Sequence, residues 1–210
     1  MGATETREKI LSTTMELIKE RNGDIGNVTI RMIADRAEIG VGLTNHYFKS
    51  KDILISECVN LVFKDIYSAF LPDSNLPANA SPMETTKRAA RKVMDFLLTN
   101  EAVARVAMLT EVAAPSLEDH TTRIINSFAY CMVDRKKLED MLSNDRMSEK
   151  MKQQFREHFV SEQRIKAFMI TSAIKQAFMR KDMLVDTIGV DLSDSEQREE
   201  YTDELIEMLM

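Results

Sequence analysis

The stretch TIRMIADRAEIGVGLTNHYFKSKDIL, residues 29 to 54, decides how the rest of the chain is read. Thr29 is a good N-cap, and Val28 ahead of it can pack on Ile33 in a hydrophobic staple. Ile30, Ile33, Ala34 and Ala37 follow at i, i+3, i+4 and i+7, the spacing of a short helix with one apolar face. Glu38, Ile39 and Gly40 leave room only for a tight turn, after which Val41 to Phe48 forms a second short helix. On that helix Thr44, Tyr47, Phe48 and Lys51 share one side, which leaves Gly42, Leu43, Asn45 and His46 on or near the other.

Working outward, Glu5 to Arg21 carries Ile10, Leu11, Met15, Leu17 and Ile18 between charged residues, an amphipathic pattern that ends at RNGDIGN. A further helix from about Lys51 carries Ile53, Leu54, Cys58, Leu61, Val62, Ile66 and Phe70, and the proline-containing LPDSNLPANAS closes it. Two short helices joined by three or four residues, held between two longer ones, have the dimensions of a helix-turn-helix, whose second member lies in the DNA major groove. Such a helix needs apolar anchors on one side and short or hydrogen-bonding side chains on the other. Asn45 can pair bidentately with adenine, His46 and Tyr47 can bond bases or phosphates, Val41 and Leu43 can meet thymine methyls, and Gly42 lets the backbone come close. A small helical core with a solvated third helix fits the same pattern. Eight cations and eight carboxylates among the first 55 residues mean that bulk electrostatics does not choose between the two.

At this level the segment from Arg7 to Val59 resembles the N-terminal DNA-binding domain of the tetracycline-repressor (TetR) family of one-component regulators. The resemblance rests on the series Thr29, Arg31, Ile33 and Ala34, on Ala37 and Ile39 around the turn, and on the string Tyr47, Phe48, Lys49, Ser50, Lys51. It implies that Thr29, Tyr47 and Lys51 contact phosphates and that Arg31 reaches a phosphate or a guanine edge. It further implies that Val41, Gly42, Leu43, Asn45 and His46 face the bases. Two residues depart from the family pattern: Glu38 stands where a turn glycine is usual, and Gly40 replaces the usual Ser or Thr cap. Glu38 must then accept the backbone geometry that the turn demands.

In the second part, Ser81, Pro82 and Glu84 supply an N-cap, a proline at the first helical position and a carboxylate in the first turn. Helices are expected over 82–99, 101–113, 116–142 and 148–181, with Asn144 and Asp145 interrupting the pattern. DTIGVDLSD reads as a loop, and Asp194 or Ser195 caps a last helix. No stretch alternates as a strand would, so the expected class is all-α. It comprises an N-terminal three-helix DNA-binding domain with a helix-turn-helix over 1–50 and a larger helical domain over 51–210. The helix over 51–70 links the two.

The resemblance implies that the larger domain binds a small-molecule effector and dimerises. The segment SEQRIKAFMITSAIKQAFMRKDML is apolar on two sides, with Ile165, Phe168, Met169 and Ser172 in one row and Ile170, Ala173, Ile174 and Ala177 in another. Tyr201, Leu205, Met208 and Leu209 make a stripe on the last helix. Phe168, Ile170, Ala173, Ile174 and Ala177 with Tyr201, Leu205 and Met208 are therefore expected to form a four-helix homodimer interface, though a wholly internal core row fits too. For an effector, Met94, Phe96, Met108, Phe128 and Tyr130 would suit an adaptable apolar pocket, with Arg105, Glu111 and His120 as polar candidates. Plain core packing explains each of these side chains as well.

Composition sets the remaining bounds. The net charge of −6 is concentrated in residues 186–210, where nine carboxylates face Arg198 alone and give −8, so the rest of the chain carries +2. An acidic whole does not veto a local DNA-binding surface. Apolar runs fall short of the roughly 20 residues that span a bilayer, and the charged start MGATETREKI does not read as a signal peptide. A cytoplasmic location without membrane association is the expectation. Cys58 and Cys131 have no neighbour at metal-ligand spacing, and no phosphate loop, metal-spaced His-Glu pair or nucleophile motif is present. The sequence thus points to no cofactor, no metal and no enzyme. The resemblance implies a dimeric, ligand-responsive repressor of a palindromic double-stranded DNA operator, against the alternative of an all-helical protein-interaction module.

Overall fold

The computed structural model describes residues 2–70, 80–143 and 148–210. Among the described residues there is no strand. The chain runs α1 (Ala3–Glu20), α2 (Ile30–Arg36), α3 (Val41–Tyr47), α4 (Lys51–Phe63), a 3-10 helix (Ile66–Phe70), α5 (Pro82–Thr99), α6 (Glu101–Ala113), α7 (His120–Cys131), α8 (Arg135–Leu142), α9 (Glu149–Met179), α10 (Lys181–Ile188) and α11 (Ser195–Leu209). Two compact units emerge, Met1–Asp65 with Leu97–Pro115, and Ile66–Phe96 with Ser116–Met210.

In the first unit α1 buries Ile10, Leu11, Leu17 and Ile18, and α6 packs against α1 and α4. Helix α1 ends in a Schellman arrangement. Asn22 sits at φ 49, its N–H donates to the Lys19 carbonyl at 3.0 Å, and the Gly23 N–H donates to the Ile18 carbonyl at 2.9 Å. Gly23 also has a positive φ, and a Cβ on it would lie 2.6 Å from the Ala102 carbonyl oxygen at the start of α6. The Thr29 hydroxyl accepts from the Met32 N–H at 3.2 Å, and both members of the staple, Val28 and Ile33, are fully buried.

The turn between α2 and α3 repeats the Schellman pattern without a glycine. Glu38 takes φ 54, its N–H donates to the Asp35 carbonyl at 3.2 Å, and the Ile39 N–H donates to the Ala34 carbonyl at 3.0 Å. Satisfying these two carbonyls offsets the cost of about 1–2 kcal/mol that a side chain incurs in the left-handed region. Ser50 then caps α4, accepting from the Ile53 N–H at 3.2 Å.

In the second unit α7, α10 and α11 all pack on α9, and the 3-10 helix packs on α7. Phe128 is fully buried and meets Phe70 edge to face at 4.9 Å between centroids. An ionic seam joins α5 to α11: the Arg91 guanidinium makes a two-point contact with the Asp203 carboxylate, and Lys87 bonds Glu207. Arg198 donates to Asp95 at 2.8 Å. Asp203 and Glu207 of the acidic C-terminal helix are thus paired within its own unit.

Four expected boundaries are corrected. The helix expected over 51–70 ends at Phe63 and resumes as a 3-10 turn at Ile66. The helix expected over 116–142 starts at His120, because Asp119 is the cap, and it divides after Cys131, with α8 opening at Arg135. The helix expected over 148–181 ends at Met179. The loop expected from Asp186 begins only at Gly189, whose left-handed φ of 75 terminates α10. The loop over 71–81 falls outside the described residues except for its last two, and the interruption at Asn144 and Asp145 lies outside them.

Candidate nucleic-acid interface

Helix α3 is anchored from below and bare above. Thr44 and Phe48 are fully buried, and the Arg7 guanidinium covers the Phe48 ring at 5.2 Å from its centroid. That anchoring turns Gly42, Leu43, Asn45 and His46 outward, all of them exposed. Leu43 is 42% and Val41 39% exposed, which leaves apolar surface open on this side of the helix. Tyr47 is half-buried, its ring edge-on to His46 at 5.5 Å. Within residues 1–65 the five residues expected to face bases are all exposed.

The expected phosphate ligands surround this surface with different degrees of freedom. Thr29 is exposed, its hydroxyl already accepting the Met32 N–H; a hydroxyl keeps its own proton to donate. Arg31 extends into solvent with Asp35 at 3.9 Å, a loose pair on an open surface. Lys51 donates to the Ile25 carbonyl at 3.0 Å, so its ammonium closes the loop before α2 and has two further protons to offer. Lys49, two residues earlier, is exposed and adds a further cation that the resemblance gave no separate role. Arg36 is engaged elsewhere: it donates to Glu20 at 2.5 Å, and that hydrogen bond holds the Glu20 carboxyl below its ordinary value.

The residues expected to hold an effector divide between the units. Arg105, Met108 and Glu111 belong to the first and Met94, Phe96, His120, Phe128 and Tyr130 to the second. Arg105 is paired with Glu101 at 3.3 Å. Met94, Met108 and Phe128 are buried core side chains. The Tyr67 hydroxyl and the His120 Nδ1 lie 2.7 Å apart in the second unit, a polar pair that the sequence did not connect because 53 residues separate them. Tyr130 is 65% exposed.

The residues expected at a dimer surface divide between covered and open positions. Ile170, Ile174, Ala177 and Leu205 are buried within their own chain. The other row of α9 is the bare one, with Ile165 and Phe168 each 59% exposed and Met169 beside them. Met208 on α11 is also exposed, while Ala173 and Tyr201 are intermediate. Two apolar rows could be read from the sequence, but which of them α7 and α11 would cover could not.

Residues 10–58 match the model for bacterial regulatory proteins of the tetR family. The chain is 29% identical over 141 residues to the HTH-type transcriptional repressor KstR of Mycobacterium tuberculosis, a match covering 65% of this chain and 62% of that protein. It is 29% identical over 145 residues to KstR of Rhodococcus jostii, covering 66% and 65%. It thus spans somewhat less than two thirds of the length of these relatives. The crystal structure of a TetR-like transcriptional regulator from Rhodococcus sp. RHA1 shares the fold with a TM-score of 0.56 at 16% identity, over 98% of this chain and 96% of that one.

Proposed function

Because the chain belongs to the tetR family of bacterial regulatory proteins through residues 10–58, we propose that it is a sequence-specific DNA-binding repressor that holds a palindromic operator as a homodimer and is released by a small-molecule effector. The observation that carries this reading is the bare face of α3, where Leu43, Asn45 and His46 stand exposed over a buried Thr44 and Phe48. The repressing sign is supported by the relatives, which are named as transcriptional repressors. On this reading Val41, Gly42, Leu43, Asn45 and His46 read base edges, while Thr29, Arg31, Tyr47 and Lys51 hold phosphates and fix the register. Residues 1–50 read DNA, and residues 51–210 bind the effector and dimerise, with the exposed row Ile165, Phe168 and Met169 on α9 and the exposed Met208 on α11 meeting their copies.

Dimerisation matters because two reading heads fit successive half-sites only about one helical turn, roughly 34 Å, apart. An effector that prefers the released form by about 1–3 kcal/mol is enough to shift operator occupancy by one or two orders of magnitude. No metal-holding group of His, Cys, Asp and Glu occurs among the described residues, and no helix there is long and apolar enough to cross a membrane. The test is a gel shift on the duplex upstream of the protein's own gene. A retarded band that resists random competitor DNA and weakens steeply between about 50 and 200 mM salt is expected. Retention of no duplex at any salt would favour the protein-interaction alternative.

A further inference from the structure

Gly42 is the second residue of α3, a place where glycine weakens a helix relative to alanine because it has more backbone freedom to lose. The described residues give no reason for it. The described glycines with positive φ are Gly23 and Gly189, so Gly42 has an ordinary helical backbone, and a Cβ on it would meet no heavy atom of the described residues within 4 Å. A small residue is usually kept for a strained turn or a close neighbour, and Gly42 has neither.

Its position on the helix supplies the reason. With Thr44 and Phe48 marking the inward side, a rotation of about 100° per residue sets Gly42 and His46 roughly opposite Thr44, at the middle of the outward face. Asn45 and Leu43 flank them, both exposed. Helix α3 carries no Lys, Arg, Asp or Glu between Val41 and Tyr47, so it has no cation for the paired acceptors of guanine. Its outward face holds one amide, one imidazole, apolar groups and a gap.

We infer that Gly42 is a specificity-determining residue: the C5-methyl of a thymine fills the space a side chain would take there, with the Asn45 amide beside it on the adenine edge and Leu43 as the apolar flank. This rests on the DNA-binding reading above and adds the class of base pair that the helix selects. Only an A·T pair offers both the methyl and the adenine N6 and N7 pattern that an Asn side chain matches.

The full-length protein selects its best duplex from a random-sequence library, and that duplex is synthesised with thymine and with deoxyuridine at each half-site position in turn. Wild type and Gly42→Ala are titrated on both sets, and both proteins are melted without DNA. Gly42→Ala is expected to melt roughly 1–3 °C above wild type while losing about 10-fold in affinity for the thymine duplex. At one half-site position uracil weakens wild type and restores most of the affinity of Gly42→Ala, since the alanine methyl takes the vacated place. Equal binding of the two proteins to the thymine duplex overturns the inference, as does a loss that no uracil relieves or a melting temperature below wild type, which would assign Gly42 to the fold. If wild type selects no sequence at all, the DNA-binding reading fails with it, and that result is distinguishable because it precedes any substitution.

Discussion

Gly23 lies so close to Ala102 that a methyl group on it would stand 2.6 Å from the Ala102 carbonyl oxygen, at a residue whose φ is +81. Two independent constraints coincide, a left-handed backbone and a neighbour made of helix backbone that cannot step aside. Gly23→Ala should destabilise the protein by about 2–4 kcal/mol, the sum of left-handed strain and overpacking. Asn22→Gly, one residue earlier at φ 49, relieves strain instead and should change stability by only a few tenths of a kcal/mol. Denaturant midpoints of the two variants test this, and equal midpoints would refute the role given to the Gly23 contact.

The two apolar rows of α9 should respond to substitution in opposite ways. Ile174→Ala removes a core side chain that is 1% exposed and should cost about 2–5 kcal/mol. Phe168→Glu changes an exposed side chain and should leave the subunit folded, with an unchanged circular dichroism spectrum, while sedimentation shows a single subunit. A Phe168→Glu protein that remains dimeric would move the interface away from this row.

Asp119 caps α7, accepting from the Thr122 N–H at 2.7 Å and from the Ser116 N–H at 3.0 Å. Burial pushes its carboxyl up, but the Thr122 and Ser116 N–H groups, the Thr122 hydroxyl and the charge of Lys175 outweigh it, and the net shift is below the ordinary 3.8. A carboxyl depressed on folding adds stability that is present above its unfolded pKa and is lost as pH falls through its folded pKa. Asp119→Ala should therefore cost about 1 kcal/mol at pH 7, and the gap from wild type should narrow only below about pH 3.8. A gap that narrows already between pH 7 and 5 would contradict the assignment.

Both thiols should be silent in the native protein. Burial first, and the neighbouring Glu57 charge second, push the Cys58 thiol up to about 12, and its Sγ faces the Leu11 carbonyl at 3.7 Å. Burial also raises Cys131, against the opposing charge of Arg88. Since the thiolate is the reactive form, Ellman's reagent at pH 8 should label neither residue faster than the protein unfolds. One equivalent modified within the mixing time would show that a cysteine is open.

What could be read from the sequence was what local chemistry dictates. Thr29, Asp194 and Ser81 mark helix starts because their side chains bond nearby N–H groups in the structure as well. The inward and outward sides of α3 followed from spacing alone, and Glu38 takes the left-handed turn although nothing in its residue type announces it. Other breaks depended on choices between near equals. Ser116 and Asp119 are both good caps, and the structure uses Ser116 for the turn that precedes the helix. The division after Cys131 has no proline or glycine to mark it. Which side of α9 is covered depends on where α7, α10 and α11 pack, and no pattern within α9 carries that information.

The grouping of α6 with the first unit means that the polypeptide passes from one unit to the other at Asp65, at Leu97 and at Pro115. A fragment cut after Asp65 would lack the helix against which α1 and α4 pack, leaving a hydrophobic wound. Anyone grafting this head onto another scaffold must carry both pieces across, since a single cut does not free it.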